Sequence, residues 1–154
     1  MGGTIKLHLG CGHHYWPGFV NIDAQAGDVQ TDIRTLSGYQ ATEIHAIHLI
    51  EHLNRWEVPE ILKRWKENLA PGGKIFLECP DLEKVLTLGR DDMLRGLFGD
   101  FRYRNEYMNH RWCYSGEELA QLCREAGFVD VQIKPPLFHK PRRDMRIEAK
   151  RADH

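Results

Sequence analysis

Residues 7–23, LHLGCGHHYWPGFVNID, set a glycine turn and an acidic residue at an unusual spacing. One apolar run ends in GCG at 10–12, and a second run, FVNI at 19–22, ends in Asp23. This order is typical of a site for a nucleotide-type cofactor, where glycines let the ligand approach the backbone and a carboxylate binds the ribose. The usual interval is about 20 residues, but here it is 11 (23 − 12). The segment is therefore either a cofactor site with a reduced first helix or a β-hairpin.

Length and composition restrict the class of protein. The 154 residues are enough for one domain with a substantial core, so we expect a single domain over 1–154. The formal net charge of −1 gives no general reason to expect nucleic acid or an anionic membrane as partner. No apolar stretch approaches the roughly 18 residues of a membrane span, and the start, MGGTIKLHLG, lacks the layout of a signal peptide. The four cysteines form no C-x-x-C pair, which favours reduced thiols in a cytoplasmic protein.

Hydrophobic periodicity alternates between strand and helix patterns. Short apolar or alternating runs predict strands at 5–9, 19–22, 44–50, 74–79, 129–133 and 145–149. Helices are predicted over 58–69, with Asn54 as N-cap and the PGG sequence at 71–73 as the stop, over 82–88, and from the capping box at 115–118 to Gly127. This alternation predicts an α/β fold whose mostly parallel, twisted sheet ends in an antiparallel hairpin.

Four segments in order carry a resemblance to a known family: LHLGCG, VNID, IHLIEHL and LAPGGKIFLECPD. With these the chain resembles the class I S-adenosylmethionine-dependent methyltransferases, and in particular small, type 11-like members with a shortened first helix. The later segment YSGEELAQLCREAGFVDVQI is similar to their last helix and strand. The resemblance implies a Rossmann-like fold, S-adenosylmethionine as cofactor and methyl transfer to a small-molecule acceptor. It also favours the cofactor site over the hairpin.

The resemblance further implies which residues bind the cofactor. The glycine backbone would lie against its methionine portion, and Asp23 would accept both ribose hydroxyls. Asp32 with Ile33 is similar to the family's adenine site. The implied cofactor-binding set is Leu9, Gly10, Cys11, Gly12, Asp23, Asp32, Ile33, His48 and Leu49.

Methyl transfer to an acceptor would ask little of the protein's side chains, because the sulfonium already carries an activated methyl group. The protein has to align the acceptor opposite the sulfur, and it needs a general base only where the acceptor arrives protonated. Asp81, His52 and His110 are the candidates for that base, and His110 is preferred.

Residues 82–114 are predicted to cover the site, since they are rich in aromatic and arginine side chains near their end. The candidate substrate contacts are Tyr103, Tyr107, Arg111 and Tyr114, near Asn109 and Trp112. Such groups suit a planar or anionic small molecule. The alternative is that the aromatics pack the cover onto the body of the protein.

Two other kinds of site are disfavoured. His45, His48 and His52 have spacings that would suit a metal site on a helix, but a strand followed by a turn scatters them and no carboxylate or cysteine completes a set, so we expect no metal. Residues 134–151 carry seven basic residues against two acidic ones, a net of +5 (7 − 2). Charged side chains on the solvent face of an edge strand explain them at least as well as an RNA partner does.

Two alternatives to a methyltransferase remain. A protein of this pattern can bind the cofactor without catalysis, as a regulatory or partner subunit. An NAD-linked or nucleotide-sugar enzyme is disfavoured, because Tyr15 stands where a dinucleotide fingerprint needs its third glycine and the chain has no Y-x-x-x-K pair. The oligomeric state is not predicted.

Overall fold

A computed structural model describes residues 4–153 and shows one seven-stranded mixed sheet. The strands are β1 (Lys6–Leu9), β2 (Val20–Asp23), β3 (Val29–Gln30), β4 (Ala41–Ile47), β5 (Leu69–Pro80), β6 (Val129–Lys134) and β7 (Asp144–Lys150). The helices are α1 (Val58–Glu67), α2 (Leu82–Val85), α3 (Arg90–Phe98) and α4 (Gly116–Glu125). Short 3-10 turns lie at Ile33–Thr35, Ile50–His52 and Glu106–Met108. Residues 1–3, on which part of the signal-peptide expectation rests, and residue 154 lie outside the described range.

The direction of β2 decides between cofactor site and hairpin. β1 and β2 pair in parallel, with Leu7 opposite Val20 and Leu9 opposite Ile22. The strand order is β3-β2-β1-β4-β5-β7-β6, in which β7 alone runs antiparallel to its neighbours β5 and β6. The predicted fold class, a mostly parallel sheet with an antiparallel C-terminal hairpin, is confirmed.

The crossing from β1 to β2 contains turns and no helix within the described residues. Trp16 fills the place of the reduced helix: its ring stacks on His8 of β1, with centroids 3.8 Å apart and planes 11° from parallel. Its backbone N–H donates to Asn21 Oδ1 at 2.9 Å, which fixes the crossing to β2. One large aromatic side chain thus covers strand surface that a parallel crossover normally covers with a helix.

The two faces of the sheet differ in chemistry because successive strand residues point to opposite sides. One face is apolar and packs against α1 and α4 in a single buried core, which includes Leu7, Leu9, Ile44, Ala46, Ile75, Leu77, Ile61, Leu62, Trp65, Leu119 and Cys123. The other face carries polar and aromatic groups. There Glu78 and Arg146 form a buried ion pair at 2.8 Å, and Trp16 stacks on Phe138 of the loop before β7.

Several predicted boundaries are wrong, and packing explains why. Asn54 does not cap α1, since its Nδ2 donates to the Glu57 side chain at 2.6 Å and Glu57 occupies the N-cap position. The PGG sequence at 71–73 lies inside β5 rather than ending the helix, because a register shift of the β4–β5 pairing between Ala41 and Glu43 accommodates it. The strand predicted to reach residue 50 ends earlier, since β4 stops at Ile47. The next residue, His48, has a positive φ of +52°, which does not continue a strand. Gly127 follows α4 at φ +99°, as predicted.

The predicted cover, residues 82–114, consists of α2, α3, the turn Glu106–Met108 and irregular segments. The predicted helix over 82–88 is shorter, since α2 ends at Val85, and α3 was not predicted. No helix among residues 4–153 is both long and apolar enough to cross a membrane.

Candidate active site

The glycine turn and Asp23 meet at the carboxyl ends of β1 and β2. The Gly12 N–H donates to Asp23 Oδ2 at 3.0 Å, and the Gln25 N–H donates to Asp23 Oδ1 at 2.9 Å. The Asp23 side chain is partly exposed, so each oxygen keeps lone-pair capacity for a further donor. The parallel pairing therefore places the carboxylate beside the turn, where a ribose next to the glycines would reach it.

Both glycines of the turn need their conformational freedom. Gly10 has φ +65°, and a Cβ there would lie 2.8 Å from Leu49 Cδ1, so Leu49 packs directly onto the turn. Gly12 has φ +53°, and a Cβ there would meet nothing within 4 Å. The space above Gly12 is thus an open cradle that a side chain would enter, which fits a ligand lying against the backbone.

The side chains of Leu9 and Cys11, next to the glycines, point into the protein, so these two residues can offer a cofactor mainly their backbone atoms. Leu9 is buried in the core, and Cys11 is buried with a thiol whose pKa is raised by burial and by the Asp23 and Asp28 carboxylates. The Cys11 Sγ–H donates to the Gly12 carbonyl at 3.3 Å. A neutral thiol in this position stiffens the turn.

The side chains of the two residues implied for the adenine site, Asp32 and Ile33, are occupied by contacts within the protein. Asp32 accepts from the Arg34 backbone N–H at 2.9 Å and from its guanidinium, so its carboxylate caps the following turn. Ile33 is 6% exposed and packs in the core, while its carbonyl accepts from Trp65 Nε1 at 2.9 Å. The Ile33 side chain therefore offers an adenine ring little surface, and the assignment of both residues to the cofactor stays a prediction.

His48 lies between two buried carboxylates just after β4. Its Nδ1 donates to Glu51 Oε2 at 3.0 Å and its Nε2 donates to Asp144 Oδ2 at 3.1 Å. Burial lowers the pKa of His48, but the hydrogen bonds and charges of these carboxylates outweigh it and raise that pKa to about 9. His48 is therefore an imidazolium that holds the loop together, and its positive φ is stabilised by these two contacts.

His52 and His110 come together although they are far apart in the chain. Their ring centroids are 4.9 Å apart at an interplanar angle of 84°. The Nδ1 of His52 lies 3.0 Å from the Asn109 carbonyl, and the Nδ1 of His110 lies 3.0 Å from the Gly96 carbonyl. Burial lowers the pKa of His110, so its ring is neutral near pH 7. Two of the three candidate bases thus form one cluster.

Asp81, the third candidate base, lies at the start of α2. Its Oδ1 accepts from the Glu83 N–H at 3.1 Å, and it is the N-cap of that short helix. The hydrogen bond uses one carboxylate oxygen, so the structure supplies a capping role for Asp81 while leaving part of the group exposed.

The candidate substrate residues divide into three groups. Tyr103 and Tyr107 are 58% and 70% exposed on the cover. Arg111 ties the cover to the body: its N–H donates to the Glu51 carbonyl and its Nη1 to Asn54 Oδ1, each at 2.7 Å. Tyr114 is only 1% exposed and lies in the core, where its hydroxyl has no hydrogen-bond partner within residues 4–153.

The three histidines whose spacing would suit a metal site on a helix, His45, His48 and His52, do not form one cluster. His45 stacks on Phe76 on the polar face of the sheet, with centroids 4.4 Å apart, while His48 is held by the two carboxylates.

Sequence reasoning missed the Asp144 carboxylate, which joins His48 to Arg143. Its signal was weak, because one acid within a basic stretch looks like a solvated residue.

A family model described as a methyltransferase domain matches residues 7–133. The chain belongs to this family. The match spans all four motifs from which the resemblance was drawn, and it confirms the predicted class of methyltransferase. A search of curated protein sequences finds no match.

Solved structures share the fold at low sequence identity. The glycopeptide N-methyltransferase MtfA, in complex with S-adenosylmethionine, has a TM-score of 0.67 at 13% identity, with 97% of this chain and 82% of that chain covered. A methyltransferase from Archaeoglobus fulgidus has a TM-score of 0.65 at 15% identity, covering 97% and 87%. The apo S-adenosylmethionine-dependent methyltransferase SibL has a TM-score of 0.62 at 16% identity and 97% coverage of this chain, which spans only 50% of SibL.

Proposed function

We propose that this protein binds S-adenosylmethionine and catalyses transfer of its methyl group to a small-molecule acceptor. One observation carries the proposal: the parallel strand tips join the Gly12 N–H to the Asp23 carboxylate beside an open cradle. Family membership supports it, as do solved structures with a similar fold: MtfA and human N-acetylserotonin methyltransferase with S-adenosylmethionine, and PigF with the demethylated product.

In this proposal the chain positions its two ligands. Asp23 accepts the ribose hydroxyls, the turn at 10–12 holds the methionine portion, and Leu49 closes the turn from the β4 side. The bound cofactor supplies a methyl group on a positively charged sulfur. Alignment of acceptor and methyl group is then the protein's main contribution to the rate.

The cover supplies the acceptor side of the proposed site. Arg111 anchors it over the end of β4, which sets His110 beside His52. Each ring donates from Nδ1 to a backbone carbonyl, so in the neutral ring Nε2 holds a lone pair that can accept a proton from a hydroxyl or amine acceptor. We retain His110 as the preferred base, with His52 and Asp81 as the others.

Most basic side chains of the C-terminal segment, residues 134–151, form ion pairs within the protein, which favours a small-molecule acceptor over nucleic acid. Five of the segment's seven basic residues form ion pairs: Lys134, Arg142, Arg143, Arg146 and Lys150. Arg151 donates instead to backbone carbonyls near the end of α1. Paired charges leave little positive potential for phosphates. The expected cytoplasmic location stays a prediction.

Thermal unfolding in the presence of ligands tests the cofactor. S-adenosylmethionine and its demethylated product should each raise the midpoint, and NAD should not, because only a ligand that binds the native state stabilises it. Asp23→Ala should abolish the rise, whereas Asp91→Ala, which removes an exposed carboxylate on α3, should preserve it. The proposal fails if neither adenosyl ligand shifts the midpoint of the unaltered protein.

Catalysis is tested separately with cofactor labelled on the methyl group and a panel of small metabolites. Transfer of label to one of them supports the enzyme. Tight cofactor binding with no transfer to any member of a broad panel would instead favour the catalytically silent binding protein.

A further inference from the structure

We propose that Glu51, His52 and His110 form a binding site for a divalent transition-metal ion. One ligand atom from each residue lies within 4.8 Å of the other two. Two imidazoles and a carboxylate are a common donor set for such ions, since imidazole suits zinc, iron and nickel and carboxylate adds the negative charge. A bound ion would take the Nε2 lone pairs that make His52 and His110 candidate bases, so it would replace them in that role. Binding of S-adenosylmethionine at Gly12 and Asp23 uses other residues and can be disproved without this site.

The orientation of both histidines is the first argument. The Nδ1 atoms of His52 and His110 donate to the carbonyls of Asn109 and Gly96, each at 3.0 Å. These hydrogen bonds fix the tautomer, because a neutral ring that carries its proton on Nδ1 has its lone pair on Nε2. Histidine ligands of metals are held in this way, with the second nitrogen donating to a carbonyl or carboxylate.

The second argument is an unpartnered oxygen. Glu51 is only 1% exposed, and its Oε1 has no hydrogen-bond partner among the described residues, while Oε2 is held by His48 at 3.0 Å. Buried carboxylate oxygens are almost always hydrogen-bonded or bound to a cation, because leaving one without a partner is costly. A cation between Oε1 and the two imidazoles would satisfy it.

The dimensions allow an ion after a small adjustment. Two ligands of a tetrahedral ion at about 2.1 Å lie about 3.4 Å apart, so atoms 4.8 Å apart must approach by about 1.4 Å. The Glu51 carboxylate and the two partly exposed rings have to close this gap together, with the Nδ1 hydrogen bonds of both rings kept. Three protein ligands leave coordination positions open for water or for an oxygen of a second ligand.

Equilibrium dialysis with Zn²⁺, followed by metal analysis, tests the site. The unaltered protein should retain one equivalent, and the same site loaded with Co²⁺ should show visible absorption bands that Zn²⁺ abolishes. His52→Ala and His110→Ala should each weaken binding by more than about tenfold. The matched control is the double change His13→Ala with His14→Ala, which removes an exposed histidine pair and should leave the affinity unchanged.

The outcomes separate cleanly. Loss of metal in His52→Ala with retention in the His13/His14 control supports the site. The proposal is overturned if the unaltered protein retains no metal, if His52→Ala binds as well as the unaltered protein, or if the His13/His14 control loses the metal. Circular dichroism and the thermal midpoint measured without ligand show that each variant is folded, and where His110→Ala unfolds, His52→Ala decides.

Discussion

Trp16 and His8 stack face to face, with ring centroids 3.8 Å apart, on the surface of β1. Trp16 also meets Phe19 edge-on at 5.1 Å and stacks on Phe138 at 5.0 Å, so three separate segments converge on its ring. This contact explains how parallel β1 and β2 are joined by a link too short for a full helix.

Loss of this ring should weaken the whole sheet. We expect Trp16→Ala to lower the free energy of unfolding by about 2–4 kcal/mol, because a large aromatic leaves both a cavity and unpaired aromatic neighbours. Trp56→Ala is the control, since Trp56 is 71% exposed, and should change stability by about 0.5 kcal/mol or less. Urea unfolding of both variants measures the difference, and equal effects would contradict the role given to Trp16.

The cradle above Gly12 can be tested with a matched glycine. Gly12 and Gly38 both have positive φ, +53° and +88°, and a Cβ at either would meet nothing within 4 Å. Gly12→Ala and Gly38→Ala should therefore lose a similar amount of stability, about 1–2 kcal/mol, from backbone strain. Only Gly12→Ala should also lose affinity for S-adenosylmethionine, which calorimetric titration of both variants would show. Normal affinity in Gly12→Ala would remove the turn from the cofactor site.

The buried pair of Arg146 and Glu78 should matter more than the exposed pair on the same hairpin. Arg146→Ala leaves the fully buried Glu78 carboxylate without its cation and should cost about 3–5 kcal/mol. Lys134 pairs with Glu148 at 2.9 Å near the surface, so Lys134→Ala should cost about 1 kcal/mol or less. Denaturant unfolding near pH 7 compares them, and a smaller loss in Arg146→Ala would contradict the assignment.

Asp144 should make the protein sensitive to acid. Burial acts to raise the pKa of this carboxyl, but hydrogen bonds from His48 and Arg143 outweigh burial and lower the pKa to about 2. In the unfolded chain the pKa of the same carboxyl is about 3.9. The stabilisation, roughly 2–3 kcal/mol, is therefore complete above about pH 4 and is lost as the pH falls through 2.

Asp144→Asn should remove this contribution. The variant should be less stable at pH 5, and its stability should change less between pH 4 and pH 2 than that of the unaltered protein. Asp91→Asn, at an exposed ion pair on α3, should retain the original slope. Thermal unfolding across this pH range gives the comparison, and a variant slope equal to the original would show that Asp144 is not the group responsible.

The fold class and the cofactor turn were predictable because their signals are local. Apolar runs of strand length, the helix pattern from Val58 to Trp65 and the capping box before α4 each depend on neighbours within a few residues. The end of β4 was not predictable in this way. The positive φ of His48 is stabilised by Asp144, which lies 96 residues further along the chain.

By itself the sequence determined that strands and helices alternate, where the glycine turn falls, and that an acid ends the second strand, because periodicity and turn chemistry act over short distances. Only the tertiary structure decided that β2 runs parallel to β1, and that His110 meets Glu51 and His52. The direction of β2 depends on the stacking of Trp16 on His8, and the position of His110 depends on the hydrogen bond from Arg111 to Asn54. Both are contacts between segments that are distant in the chain or joined by a short crossing, so no local sequence pattern encodes them.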